Sequence, residues 1–93
     1  MRPYIKKTKG ERIRDAFYPN GVYRVPCAHC GAPLLRSQSS LDHIIPKSKG
    51  GRKVLENMAI VCRACNSARG AADFWAFRAI RVWMRAARKE RGG

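Results

Sequence analysis

The chain has 93 residues, which is enough for one small domain but too few to bury much apolar surface without a metal, disulfides or a partner. Its 20 Lys and Arg against 6 Asp and Glu give a net charge of +14, spread over segments of different type, which favours DNA or RNA over an acidic membrane as the partner. No run of residues approaches the roughly 18 apolar positions of a membrane helix, and the first residues lack the apolar core of a signal peptide. We therefore expect a cytoplasmic protein in a reducing compartment, where thiols stay reduced.

The amino-terminal region divides into a basic arm and a short helix. Residues 1–10 are basic and poor in apolar side chains, which predicts a mobile arm that contacts phosphate; a role of this charge in expression is the alternative. We take residues 11–93 as one domain. Residues 11–18 place Ile13 and Phe17 on one face at i, i+4 spacing, which indicates a short helix. The run Pro19-Asn20-Gly21 ends it, and residues 22–25 form an extended lead-in.

Four cysteines form two pairs with the same internal spacing. Two residues separate Cys27 from Cys30, and two separate Cys62 from Cys65. This spacing lets both thiolates of a pair reach one ion, so the pattern favours a tetrahedral four-cysteine zinc site over a redox or disulfide role. His29 could replace one cysteine as a ligand, but with four thiols available we expect it to face solvent.

Thirty-one residues separate Cys30 from Cys62, more than the roughly 15 to 20 of a plain two-knuckle ribbon, so the metal closes a loop that carries something else. Within it, residues 41–46 form an apolar, strand-like run that contains Asp42 and His43 side by side. A flexible basic loop at residues 47–53 precedes a second apolar strand at residues 58–61. Residues 62–69 fit a short helix ending at Gly70, a residue suited to a left-handed cap.

Residues 71–90 lack Gly and Pro and begin with Asp73 near the positive end of the helix dipole, so we predict one helix of ~5 turns. An apolar stripe should pack against the rest of the domain, and its members are Phe77, Ile80, Met84 and Ala87. For a neighbouring basic stripe, the net charge favours phosphate contact over a solvated face, and its members are Arg78, Arg81, Arg85 and Arg88. Trp75 and Val82 lie on a third face, which could meet the amino-terminal helix or a partner subunit, as in a homodimer.

Together these residues resemble the HNH endonuclease family, which has a ββα-metal fold. The resemblance covers residues 27–70, about half of the chain, and element order, cysteine spacing and embedded polar residues all agree. The matching positions are Cys27, Cys30, Leu41-Asp42-His43-Ile44-Ile45-Pro46, Gly50-Gly51, Leu55-Glu56-Asn57-Met58, Cys62, Cys65, Asn66, Arg69 and Gly70. The resemblance implies an α+β fold: a small ββα-metal (HNH/His-Me finger) domain, stapled by the four-cysteine zinc site and flanked by helices.

The resemblance also implies a role for each matching polar residue. His43 corresponds to the general base that deprotonates the attacking water, and Asp42 to the carboxylate that binds a catalytic divalent cation. Asn57 corresponds to the asparagine that braces the hairpin loop and so orients the histidine. Asn66 would supply the second ligand of that cation, and Arg69 would hold a phosphate near the cut.

The chemistry of phosphodiester hydrolysis agrees with these roles. A histidine with an ordinary pKa of about 6.5 can accept a proton at pH 7, and a divalent cation neutralises charge on the phosphoryl oxygens and the leaving alkoxide. Asn66 stands where the family commonly has His or Asn, and its hard oxygen favours Mg2+ or Mn2+, with Ni2+ as an alternative. Adjacent strand residues point to opposite faces, so Asp42 and His43 converge on one phosphate only if the strand ends or distorts there.

The predicted function is a metal-dependent HNH endonuclease that cuts double-stranded DNA and leaves 5′-phosphate and 3′-hydroxyl ends, as the resemblance implies. A phage, mobile element or restriction system is a plausible setting. The basic side chains expected to contact nucleic acid are Lys47, Lys49, Arg52, Lys53, Arg63, Arg69, Arg78, Arg81 and Arg85. Two alternatives stay open: a non-catalytic zinc-finger module that binds nucleic acid, and a nuclease that acts on RNA or only within a larger complex.

Overall fold

The computed structural model describes residues 6–91, with side chains described as far as Arg88. Within that range the elements follow in the order α1 Lys9–Phe17, β1 Arg24–Pro26, β2 Pro33–Leu35, β3 Ser39–His43, β4 Met58–Cys62, α2 Arg63–Arg69 and α3 Phe74–Arg91. The strands make two separate antiparallel pairs, β1 with β2 and β3 with β4. The predicted α+β class is confirmed, and β3, β4 and α2 follow one another in ββα order.

Helix α1 begins two residues earlier than predicted because Thr8 caps it. The Thr8 hydroxyl accepts from the Glu11 backbone N–H, and the Glu11 carboxylate accepts from the Thr8 N–H, both at 3.1 Å. Such a reciprocal capping box is visible in sequence as Thr-x-x-Glu, and it makes Lys9 and Gly10 helical rather than part of an arm. The first five residues of the predicted arm lie outside the described part of the chain. Of the predicted apolar face, Ile13 is buried.

Two side chains fasten α1 and its end to the strands. Tyr18 Oη donates to the Leu34 carbonyl at 2.8 Å. The Asp15 carboxylate accepts from Lys7 Nζ at 2.7 Å and from Arg36 Nε at 2.6 Å, and these two bonds hold the pKa of Asp15 below its usual value. Because the Asp15 pairs are substantially exposed, they orient α1 more than they stabilise the domain.

The hairpin of β1 and β2 was not predicted. Each strand has only three residues, and Pro26 pairs with Pro33 at the end of the ladder. Proline cannot donate to a ladder, so a sequence with two prolines argues against strands at these positions. The hairpin forms because its loop is the first cysteine knuckle, where Cys27 N–H donates to the Ala32 carbonyl at 2.8 Å and Gly31 N–H to the Cys27 carbonyl at 2.9 Å.

The β3–β4 pair is the centre of the fold, and its register joins Ser39 to Cys62 and His43 to Met58. One face of β4 enters the core, where Val61 is fully buried. The buried core cluster contains Cys27, Leu34, Ile60, Val61 and Cys65. Two of the four cysteines are therefore core residues, which makes the core and the cysteine site one structural unit.

Helix α3 packs apolar side chains against the core at its first turns, and further along the helix the Arg85 side chain lies against Gly31. Asp73 caps it, accepting from the Ala76 N–H at 3.0 Å, and Phe74 is buried. Phe77 packs against the core, but Ile80 and Met84 are 58% and 38% exposed, so the prediction that the whole apolar stripe packs inward is wrong for those two residues. The stripe has helical spacing, but spacing does not decide whether another element covers Ile80 and Met84. None of the helices within residues 6–91 is long and apolar enough to span a membrane.

Candidate active site and metal centre

The four cysteine sulphurs converge on one point. The β1–β2 hairpin loop supplies Cys27 and Cys30, while the end of β4 and the first turn of α2 supply Cys62 and Cys65. Their Sγ atoms all lie within 4.8 Å of one another, and Cys30 Sγ lies 3.9 Å from Cys62 Sγ. Tetrahedral Zn–S bonds of about 2.3 Å place sulphurs about 3.8 Å apart, so this geometry fits a four-thiolate metal site. No disulfide joins these four residues.

Backbone N–H groups also prepare this site for thiolates. Cys62 N–H donates to Cys27 Sγ and Cys65 N–H to Cys62 Sγ, both at 3.3 Å. Burial raises the pKa of the Cys27 thiol, but donation by the N–H groups of Cys30, Cys62 and His29 outweighs burial and lowers it to about 7. Burial raises the pKa values of Cys30 and Cys65. Thiolates held this close repel one another, and a bound cation would balance their charge.

His29 does not face solvent, and that prediction is wrong. Its side chain is fully buried within the first knuckle, with its ring 4.7 Å from the ring of Phe74 and 4.8 Å from that of Phe77. Its Nε2 lies 3.7 Å from Asp42 Oδ2. Burial lowers the pKa of His29, and Asp42 opposes this only in part.

Asp42 and His43 open into one cleft because β3 ends at His43. Adjacent strand residues normally face opposite ways, but the chain bends at Ile44 and Ile45, directly after the strand. The cleft has a volume of about 460 Å3, and its lining includes Asp42, His43, Lys47, Lys49 and Arg69. Asp42 Oδ2 and His43 Nε2 are buried and lack a hydrogen-bond partner within the described part of the chain.

Arg69 pairs with Asp42 inside the protein. Both side chains are 8% exposed, and Arg69 Nη1 donates to Asp42 Oδ1. Arg69 Nε donates to the Ala72 carbonyl at 3.0 Å, and the guanidinium lies 5.4 Å from the centre of the Phe74 ring. The guanidinium of Arg69 is therefore bound to the Asp42 carboxylate. The two residues are 27 positions apart in the sequence, so spacing alone could not predict this pair. Asp42 keeps its second oxygen free, and an oxygen donor with an unused lone pair suits a hard divalent cation.

Asn57 ties the two ends of the cleft loop together. Its Oδ1 accepts from the Ile45 N–H at 2.8 Å, and its Nδ2 donates to the carbonyls of Ile45 at 3.0 Å and Arg52 at 2.9 Å. The loop predicted as flexible is folded by these bonds and by a 3-10 turn at Lys47–Lys49. Gly51 is required there because a Cβ atom would collide with the Ile45 carbonyl. His43 directly precedes this braced loop, so the Asn57 bonds define its surroundings.

Replacing Asn57 with alanine should therefore loosen the loop. The change leaves one N–H and two carbonyls without partners, so we expect a loss of about 2–3 kcal/mol in the free energy of unfolding. Urea denaturation of Asn57→Ala beside Asn20→Ala measures this, since Asn20 is exposed and its replacement should change stability by less than about 0.5 kcal/mol. Equal stability of the two variants would contradict the bracing.

The remaining predicted residues are not part of the cleft lining. Asn66 lies on α2 one turn before Arg69 and is half-buried, but it is not part of the cleft lining. Arg63 Nη2 donates to the Ser37 carbonyl at 2.9 Å. The other basic residues predicted to contact nucleic acid are the exposed Arg52, Lys53, Arg78 and Arg85, and the half-buried Arg81. The structure thus brings Asp42, His43 and Arg69 together, with Lys47 and Lys49 at the rim.

Comparison with known proteins agrees with this arrangement. The pattern of the family described as HNH endonuclease matches residues 27–72. Residues 27–72 belong to the HNH endonuclease family. The chain is also 42% identical over 53 residues to the CRISPR-associated endonuclease Cas9 of Corynebacterium diphtheriae, a match that covers 54% of this chain and 5% of that protein. The chain therefore spans a small part of this relative's length.

The HNH match covers the four cysteines, the β3–β4 pair and α2, which together form the ββα unit. The element order anticipated from the resemblance is therefore confirmed, and the four cysteines are positioned to hold a metal. Sequence reasoning missed His29 at this site. One sign of its burial was present in the sequence: His29 lies between Cys27 and Cys30, in a knuckle where the chain must turn back onto the hairpin.

Proposed function

We propose that this chain is a divalent-metal-dependent endonuclease that hydrolyses phosphodiester bonds in double-stranded DNA, with His43 as general base. The observation that most supports this is the end of β3, where two neighbouring residues, Asp42 and His43, line one cleft and each keeps a buried polar atom without a partner. In a protein interior such atoms are costly unless a ligand completes them.

In this proposal His43 takes the proton of the attacking water, while Asn57 keeps the loop that follows His43 in one conformation. Asp42 and Asn66 would hold a divalent cation, Mg2+ or Mn2+ rather than a softer ion because both donors are oxygens, with Ni2+ as an alternative. When bound, that cation would neutralise charge on the phosphoryl oxygens and the leaving alkoxide. Arg69 balances Asp42 until the scissile phosphate competes for the guanidinium.

The ion at the four cysteines is zinc in this proposal. Four thiolates at tetrahedral spacing are typical of structural zinc sites, and they leave no open position for a substrate. Its role would be to join the β1–β2 hairpin to β4 and α2, and so to keep the cleft in shape.

The net charge of +14 and the two lysines at the rim of the cleft support a polyanionic substrate. Contacts of this kind go to phosphates, so we expect binding to fall steeply with salt and to select little among sequences.

The test uses protein that retains zinc but has been freed of other divalent ions, incubated with supercoiled plasmid and Mg2+, Mn2+, Ni2+ or additional Zn2+. We expect nicked or linear plasmid with Mg2+ or Mn2+, and 5′-phosphate ends. A mobility-shift assay on the same samples measures binding separately. Binding without cleavage under all four ions would reject the proposal that this chain alone is an endonuclease.

A non-catalytic module that binds nucleic acid is the second candidate function. The observation that favours it is the Asp42–Arg69 pair, which occupies one carboxylate oxygen and places a positive charge beside the proposed cation. A domain that cuts only within a larger assembly would give the same negative result alone. Cleavage that appears when a partner chain is added would distinguish a nuclease that needs an assembly from a non-catalytic binding module.

A further inference from the structure

One side chain bridges the cysteine site and the cleft. His29 lies between Cys27 and Cys30 in sequence, yet its ring is fully buried and directed at the carboxylate of Asp42. Its position is well determined by its surroundings, because Ala28 N–H donates to the Ile60 carbonyl at 2.9 Å and so fastens the knuckle across β4. Phe74 and Phe77 hold the ring from the α3 side.

Two buried polar atoms without partners face each other at this bridge. His29 Nε2 and Asp42 Oδ2 are 3.7 Å apart, and neither forms a hydrogen bond within the described part of the chain. Each such atom costs free energy when buried alone, and a donor opposite an acceptor removes both costs at once. The separation is longer than a hydrogen bond of about 2.9 Å, and catalytic hydrogen bonds are often long in a free protein and tighten when ligands bind.

We propose that His29 is a positioning residue for Asp42: its Nε2–H donates to Asp42 Oδ2 and orients the carboxylate toward the divalent cation. The inference rests on the proposed function, since it gives Asp42 the cation. Arg69 on Oδ1 and His29 on Oδ2 then hold both oxygens in place. An ionised carboxylate has about four lone-pair positions, so two donors leave room for a cation.

The proposal does not depend on the protonation state of the ring. A neutral imidazole with its proton on Nε2 donates, and so does a charged one, which carries protons on both nitrogens; only the neutral tautomer with its proton on Nδ1 does not. Outer-shell donors of this kind orient metal ligands, and their loss typically lowers metal affinity or activity by 10- to 100-fold. The cysteine site would thus influence the cleft through one side chain.

The experiment compares three variants of the zinc-loaded chain. His29→Phe keeps an aromatic ring between Phe74 and Phe77 but removes the donor, whereas His29→Gln keeps a donor and loses the ring. Phe77→Leu disturbs the same packing and leaves both ring nitrogens in place. Each is measured for the Mn2+ concentration that half-saturates plasmid cleavage, and for Mn2+ binding by electron paramagnetic resonance, which requires no cleavage.

We expect His29→Phe to keep its zinc and to raise the Mn2+ requirement by about 10- to 100-fold. His29→Gln should recover most of the wild-type affinity, and Phe77→Leu should match wild type. Equal Mn2+ affinity of His29→Phe and wild type would overturn the inference, as would equal losses in His29→Phe and Phe77→Leu, which would indicate packing alone.

The two readouts separate this inference from the proposed function. If wild type binds Mn2+ but cuts no plasmid, the endonuclease proposal fails, while the binding data still decide the role of His29. If wild type binds no Mn2+ beyond the zinc site, Asp42 holds no cation and the inference fails with the proposed catalytic site.

Discussion

Removing the metal from the four cysteines should abolish the cooperative folded state of this protein. Cys27 and Cys65 are members of the core cluster, and the four sulphurs join the β1–β2 hairpin to β4 and α2. Structural zinc sites of this kind contribute about 10–16 kcal/mol in apparent binding free energy, whereas small domains have only about 5–15 kcal/mol of net stability. Without the metal, the remaining core is too small to offset the lost chain entropy.

Thermal melting followed by circular dichroism measures this, on protein whose zinc content is verified before and after chelation. We expect one zinc per chain, loss of the cooperative transition when it is removed, and recovery when Zn2+ but not Mg2+ is returned. Cys65→Ser should behave like chelated protein, and Ser67→Ala, an exposed neighbour on α2, like wild type. An unchanged melting curve in protein proven free of zinc would refute the structural role of the metal.

Replacing His43 with alanine should remove cleavage while leaving the fold and DNA binding intact. General-base catalysis by a positioned side chain typically contributes 10²- to 10⁴-fold, so we expect a decrease of that order in the rate of plasmid cleavage. The imidazole is half-buried at the end of β3, opposite Met58, and its buried Nε2 has no hydrogen-bond partner among residues 6–91.

The measurement is single-turnover cleavage at saturating Mg2+ or Mn2+, with melting temperature and DNA affinity recorded for each variant. His43→Asn serves as a second replacement that keeps a polar side chain if alanine perturbs the hairpin, and Ser67→Ala is the matched control. Cleavage by a folded His43→Ala within threefold of wild type would show that another group accepts the proton. Lost DNA binding would assign His43 to substrate contact instead.

Much of the fold could be predicted because its signals are local. The two-residue spacing within each cysteine pair indicates a knuckle wherever the pairs lie, and apolar runs at residues 41–46 and 58–61 predict strands. The second run matches β4, whereas β3 covers Ser39–His43 and so begins and ends earlier than predicted. Gly70 ends α2 as predicted, but its φ of 52° is combined with a ψ of −124°, so it does not adopt the predicted left-handed helical cap. The catalytic roles assigned to Asp42, His43, Asn57, Asn66 and Arg69 stay predictions until the cleavage experiments are made.

Other features depend on contacts between residues distant in sequence. The burial of His29 depends on Phe74 and Phe77 of α3, and the buried ion pair of Arg69 depends on Asp42 of β3. Helical spacing placed Ile80 on an apolar stripe, but spacing cannot tell whether another element covers that stripe, and Ile80 remains exposed.

By itself, the sequence determined the two cysteine knuckles and the position of Asp42 beside His43 in an apolar run, because each follows from spacing or periodicity over a few residues; the end of β3 at His43 came from the structure. Only the tertiary structure decided which groups meet these residues. Asp42 is joined by Arg69 from α2 and faced by His29 from the first knuckle. The physical reason is that a buried carboxylate is completed by whichever donors packing brings within reach, and packing is a property of the whole chain.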